Sequence, residues 1–96
     1  MQGTGKMLQK EAVQVNVEER VKKVVARQLK VDENEIKPES EFVRDLGAES
    51  IQSIELVALF EEEFDIEMDE HEALAVKTVG SAIEFIKKAL QKQKRL

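Results

Sequence analysis

The sequence has no cysteine, no tryptophan and no tyrosine, and it has one proline and four phenylalanines in 96 residues. Without cysteine, the chain forms no disulfide and supplies no thiol of its own. With so few aromatic residues, the core has to be built from aliphatic side chains. No apolar run is long enough to span a membrane, and there is no signal-peptide core near the N-terminus. We therefore expect one small cytoplasmic domain.

Basic residues are nearly absent from the middle of the chain. Residues 39–75 contain 13 acids and a single base, Arg44, so this segment has a net charge of −12. The other residues contain 7 acids and 14 bases, a net +7, which leaves −5 for the whole chain. A segment this acidic repels nucleic acid and attracts proteins with basic patches. A solvated surface that keeps the protein soluble would have the same composition.

The spacing of apolar residues predicts an all-α fold: a small bundle of three main helices and one short helix. Helix I is predicted to start at the cap Asn16 and to stop near Leu29 or Lys30. A long loop, residues 30–48, separates it from helix II, and Pro38, Ser40 and Gly47 interrupt this loop.

The remaining helices are predicted from caps and periodicity. Helix II should run from Glu49 or Ser50 to Phe64, and a short helix should follow near Asp69–Leu74. Thr78 is the predicted cap of the last helix. The expected organisation is a flexible N-terminal extension over residues 1–15, a helical bundle over 16–90 and a basic C-terminal tail over 91–96.

Helix II has apolar residues on two sides. At 100° per residue, Leu56, Val57, Phe60 and Phe64 form one stripe, which we expect to face the core. Ile51, Ile54 and Ala58 lie on the opposite side among Glu55, Glu61 and Glu62. We interpret this second patch as a docking surface for a basic partner. Isolated surface isoleucines are also normal, and the long loop could cover them.

Four stretches of the sequence resemble the acyl carrier proteins: EERVKKVVARQL, FVRDLGAESIQSIELV, EEEFDIEM and TVGSAIEFI. The resemblance extends from about Asn16 to Leu90, and the spacing from LGA through ELV to EEEFD and TV is kept without gaps. That family has an Asp-Ser-Leu motif at the start of helix II, and this chain has Glu49-Ser50-Ile51 there. The resemblance implies that Ser50 receives 4′-phosphopantetheine from coenzyme A. The thiol of that arm would carry acyl groups as thioesters. Taken alone, Ser50 is an ordinary helix cap.

The resemblance also implies partners and two groups of residues. The partners are a phosphopantetheinyl transferase and acyl-processing enzymes with basic docking patches, whereas nucleic acid binding and membrane insertion are not expected. We expect a monomer. The expected docking residues are Glu49, Ile51, Ile54, Glu55, Ala58 and Glu62. The expected acyl pocket consists of Phe42, Leu56, Phe60, Met68, Val76, Ala82 and Ile83, which are also expected core residues.

The chain departs from the family pattern at Glu49 and Ile51, where the family has aspartate and leucine. Glutamate is a poorer N-cap than aspartate, so we expect a looser start of helix II. Gly80 is unusual near the start of the last helix, where glycine costs up to about 1 kcal/mol relative to alanine. These departures suggest a specialised carrier rather than the main carrier of fatty-acid synthesis.

No motif in the sequence predicts catalysis or metal binding. The segment that begins at Asp65 resembles the first half of a calcium loop, but Glu70 and Val76 occupy the positions of the required glycine and glutamate. We therefore expect a non-enzymatic carrier in fatty acid or related lipid biosynthesis. Two alternatives remain, namely a carrier of aminoacyl or polyketide cargo and an unmodified helical scaffold protein.

Overall fold

The computed structural model describes residues 17–94, which form a small bundle of α-helices. Its elements are α1 (residues 17–29), α2 (Ser50–Phe64), α3 (Glu70–Leu74) and α4 (Val79–Lys94), with a short 3-10 helix, Glu33–Glu35, between α1 and α2. Within this range there is no strand, only an isolated bridge between Glu41 and Thr78. The all-α prediction is therefore confirmed. Asn16 and the predicted extension, residues 1–15, lie outside the described residues.

The ends of the helices follow from local chemistry. The chain leaves α1 at Lys30 and α2 at Asp65, which both adopt the left-handed conformation with φ of 58° and 54°. Asp69 caps α3, since its carboxylate accepts a hydrogen bond from the Glu72 N–H at 3.0 Å. The Thr78 hydroxyl accepts one from the Ser81 N–H at 3.1 Å. Both predicted caps are confirmed.

The core lies between one apolar face of each long helix and the inner side of the long loop. Val21 and Val25 of α1 and Val79 and Ile86 of α4 are the most deeply buried side chains. From α2, the core receives Leu56, Phe60 and Phe64, whereas Val57 is only half-buried. The loop contributes Ile36, Phe42 and Leu46. The core is thus mainly aliphatic, as the composition predicts.

The long loop packs against the start of α4. The N–H groups of Val79 and Gly80 donate to the carbonyl oxygens of Ser40 at 3.0 Å and Pro38 at 2.8 Å. These bonds satisfy backbone donors that have no partner within the helix. They also account for the unusual glycine, because a Cβ at position 80 would lie 3.0 Å from the Pro38 oxygen.

The last helix continues past Leu90 to Lys94, into the residues predicted as a basic C-terminal tail. Its last turn is held by Gln93, whose amide exchanges two hydrogen bonds of 2.8 Å with the backbone of Glu67. Glu67 follows α2 closely in the chain, so these bonds join the end of α4 to the end of α2. No helix in residues 17–94 is both long and apolar enough to cross a membrane.

Candidate functional site

The start of α2 presents a serine at the surface. Ser50 is the first residue of the helix and is exposed. A turn directs the chain into it: Gly47 has φ of +74°, and the Ala48 N–H donates to the Phe42 carbonyl at 2.8 Å. Ala48 itself is buried. The buried alanine and the glycine turn therefore fix where the helix begins and leave Ser50 facing solvent.

The helix start is organised without the Ser50 side chain. Glu49 is the N-cap residue, and its N–H donates to Oε1 of Gln52 at 2.9 Å. Gln52 thus supports a start that we expected Glu49 to loosen, and sequence analysis did not single it out. Glutamine three residues after the cap is the signal that would have found it. Among residues 17–94, the Ser50 hydroxyl has no hydrogen-bond partner.

The outer face of α2, defined as Ile51, Ile54 and Ala58 with the acids around them, is open. Ile51 is 59% exposed and Ile54 is 43% exposed, and Ala58 is also exposed. The long loop therefore does not cover these residues, and that alternative is wrong. The N-cap residue Glu49 and the helix residues Glu55 and Glu62 are also exposed. This face is available to another molecule.

Several of the acids in and after α2 have partners within the protein. The Glu55 carboxylate accepts a hydrogen bond from the Gln28 amide of α1, which leaves its charge in place. Glu61 accepts from the Met68 N–H at 2.9 Å. Glu63 pairs with Arg20 at 2.7 Å, and the Arg20 guanidinium also lies over the Phe64 ring. Two of the three consecutive glutamates, Glu61 and Glu63, therefore make contacts within the fold as well as adding charge.

A cavity of about 310 Å³ lies between α2, α3, α4 and the long loop. It is lined by six of the seven residues expected in the pocket: Phe42, Leu56, Phe60, Met68, Val76 and Ala82. The seventh, Ile83, is buried but does not line the cavity. One residue after Ala82 on a helix is 100° further round, which turns Ile83 away from the cavity.

Other residues that line the cavity were not identified from sequence. The apolar ones are Val43, Val57, Ala73, Leu74 and Phe85, and the polar ones are Glu41, Ser53 and Lys77. Val43 and Leu74 are 67% and 41% exposed, so they lie where the cavity opens to solvent. Helical spacing gives a signal for two others, since Ser53 lies three residues after Ser50 and Phe85 three after Ala82.

Two aspartates in the acidic segment after α2 have structural roles at helix ends. Asp65 ends α2 in the left-handed conformation, and Asp69 caps α3. Within residues 17–94, no three His, Asp or Glu side chains are grouped so that they could hold a metal ion.

A comparison with protein families gives one match over most of these elements. The family model described as "Phosphopantetheine attachment site" matches residues 19–86. The matched range extends from α1 into α4 and includes the start of α2 and every residue that lines the cavity.

Proposed function

Because the chain belongs to the phosphopantetheine attachment family, we propose that Ser50 is the attachment residue and that the cargo is an acyl chain. Domains of this family hold 4′-phosphopantetheine covalently and act as carriers without catalytic activity of their own. The bound group supplies the thiol that carries the cargo as a thioester. This chain has no cysteine and so has no thiol of its own.

The choice of Ser50 is supported by comparison with the other hydroxyl groups of residues 17–94. Ser40 is buried, and its hydroxyl accepts from the Lys37 N–H. Thr78 and Ser81 are hydrogen-bonded to each other at the start of α4. Ser53 is half-buried against the cavity. Ser50 alone among these five is exposed and has a hydroxyl free to be modified.

The surroundings of Ser50 also suit a phosphodiester. Ser50 is in the first turn of α2, where backbone N–H groups lack partners within the helix and the positive end of the helix dipole favours an anion. Glu49 opposes this with a negative charge, but it is exposed, so solvent weakens the repulsion. The residues present therefore fit the group.

The apolar cavity is the observation that favours an acyl chain as cargo. Its volume of about 310 Å³ is within the range of small-molecule pockets, about 300–1,000 Å³. On α2, its lining begins at Ser53, about 5 Å along the helix from Ser50 at 1.5 Å per residue. An aliphatic chain tethered at Ser50 would reach it, and each buried CH₂ would contribute about 0.8 kcal/mol. A charged aminoacyl group would gain little there.

The outer face of α2 is the proposed docking surface, formed by Glu49, Ile51, Ile54, Glu55, Ala58 and Glu62. It lies on the same helix as Ser50, so a transferase or an acyl-processing enzyme that grips it would have the attachment point within reach. Its exposed isoleucines offer apolar area, and its carboxylates would attract basic patches. We propose that the protein acts as a cytoplasmic monomer in fatty acid or related lipid biosynthesis.

Intact mass spectrometry tests the attachment. The protein is incubated with coenzyme A and a broad-specificity phosphopantetheinyl transferase. We expect a single phosphopantetheinyl increment, which Ser50→Ala abolishes. Ser53→Ala is the matched control one turn further along α2, and it should be modified normally. If wild-type protein gains no increment, the chain is an unmodified scaffold. An increment that persists in Ser50→Ala would place the attachment at another residue.

A further inference from the structure

Helices α2 and α4 run in the same direction along the cavity, so both of its ends can be identified. Near the start of α2, the Ala48 N–H donates to the Phe42 carbonyl, and the Phe42 N–H donates to the Lys77 carbonyl just before α4. Beyond the end of α2, Glu67 is bonded to Gln93 near the end of α4. The two starts are therefore at one end of the bundle with Ser50, and the two helix ends are at the other.

On both helices the cavity lining stops at a phenylalanine. The last lining residue of α2 is Phe60, and Phe64, one turn further, is buried but does not line the cavity. The last lining residue of α4 is Phe85, and neither Ile86 nor Ala89 beyond it lines the cavity. Phe60 and Phe85 are therefore the lining residues of the two helices that lie farthest from Ser50, and Met68, which follows α2, also lines the cavity at this end. We call Phe60 and Phe85 the floor.

The two floor residues differ in burial. Phe60 is 4% exposed and belongs to the core, so its loss would disturb the whole domain. Phe85 is half-buried and is not one of the core residues. Its ring meets the cavity on one side and is partly exposed to solvent, so its size can change without emptying the core.

We propose that Phe85 sets the longest acyl chain that the protein can bury. This rests on the proposed function, since it takes a tethered aliphatic chain as the occupant of the cavity. A straight chain enters near Ser53 and runs along α2 toward the floor, a distance of about 10 Å for the seven residues to Phe60. Once the end of the chain meets the floor, further methylene groups lengthen the part of the chain outside the cavity, and that part remains in water.

The test uses Ser50 loaded enzymatically with straight saturated acyl chains of increasing length, with the melting temperature of each loaded protein as the readout. In wild-type protein, the melting temperature should rise with chain length and then level off once the chain reaches the floor. In Phe85→Ala, the chain length at which the melting temperature levels off should increase by at least one step of the series. In Phe85→Trp, which enlarges the ring, that chain length should decrease.

Ile83→Ala is the matched control, because Ile83 is buried on the same helix but does not line the cavity. It should lower every melting temperature and leave the levelling point unchanged. Phe85→Leu provides a milder variant whose shift should lie between those of wild type and Phe85→Ala.

The inference is overturned if the Phe85 variants level off at the wild-type chain length, or if Ile83→Ala moves the levelling point equally. If wild-type protein loads normally but its melting temperature does not depend on chain length, the acyl pocket of the proposed function is wrong as well. If Ser50 cannot be loaded at all, the attachment residue itself is wrong. These three results are distinct.

Discussion

The starts of α2 and α4 share a serine in the first turn but have different surroundings. Each has a serine in its first turn, Ser50 in α2 and Ser81 in α4. At α4, loop carbonyls take the first two N–H groups, and Thr78 holds the Ser81 hydroxyl at 2.9 Å. At α2, Gln52 supports the cap residue from within the helix, and Ser50 faces solvent.

This difference shows what makes a helix start available to a ligand. The backbone donors and the dipole are common to every helix, so they do not distinguish the two ends. The long loop does, because its Pro38 and Ser40 carbonyls occupy the start of α4 and its glycine turn leads into α2 without covering it. The same loop therefore closes one helix start and exposes the other.

The first prediction concerns the outer face of α2, beside Ser50. Combined charge reversal, Glu55→Lys with Glu62→Lys, should slow loading by the transferase roughly ten- to a hundredfold at low salt, because both charges lie on the proposed docking surface. Stopped-flow or timed mass measurements of loading would show it. The control reverses two exposed acids elsewhere, Glu18→Lys with Glu84→Lys. Equal rates in both double variants would refute docking through the outer face of α2.

The second prediction concerns the glycine turn that leads into the start of α2. Gly47 has φ of +74°, so Gly47→Ala should lower the free energy of unfolding by about 1–2 kcal/mol although no atom would clash with the new Cβ. For a domain of this size, the melting temperature should fall by roughly 4–8 °C per kcal/mol.

Gly80→Ala provides the comparison at the closed start. There the new Cβ meets the Pro38 oxygen at 3.0 Å, but alanine regains up to about 1 kcal/mol of helix propensity. The loss should therefore be smaller than for Gly47→Ala. A neutral Gly47→Ala would show that the turn tolerates a side chain.

The third prediction concerns the cap of the closed start. Thr78→Ala removes the hydroxyl that accepts from the Ser81 N–H and should cost about 1 kcal/mol, measured by urea unfolding. Thr78→Ser keeps the acceptor and should be close to wild type. Both variants should still be loaded at Ser50. Slower loading of Thr78→Ala would mean that the two starts are coupled.

The smallest effect is expected at the cap of the open start. Glu49→Asp places a better N-cap residue before Ser50 and should raise the free energy of unfolding by a few tenths of a kcal/mol. The measurement is the urea midpoint, with the slope of the transition unchanged. A lower midpoint would mean that aspartate is the poorer cap here, since the bond from the backbone N–H of residue 49 to Gln52 is available in both proteins.

Helix positions and caps were predictable because they depend on neighbours in sequence. Asp69 and Thr78 bond to N–H groups three residues ahead, and α2 occupies the range predicted for it. The end of α4 was not predictable in this way, since Gln93 is held by Glu67, which lies 26 residues earlier in the chain. A polar basic tail gives no local sign of such a partner.

The lining of the cavity was likewise not predictable from local sequence alone. Periodicity places both Ile83 and Phe85 on an apolar helix, but their spacing does not say which side of α4 faces the gap beside α2. Only packing places Phe85 against the cavity and Ile83 in the core. The acids are another example. The sequence predicts only surface charge at Glu61 and Glu63, whereas in the structure Glu61 accepts a hydrogen bond from the Met68 N–H and Glu63 pairs with Arg20.

Local sequence patterns predicted four helices, the caps of α3 and α4 and a serine at the start of an acidic helix, because each depends on contacts within a few residues. Tertiary structure decided which helix start stays open, which apolar residues border empty space and which carboxylates are engaged. Those outcomes depend on hydrogen bonds and burial between segments far apart in the chain, such as Pro38 with Gly80 and Glu67 with Gln93.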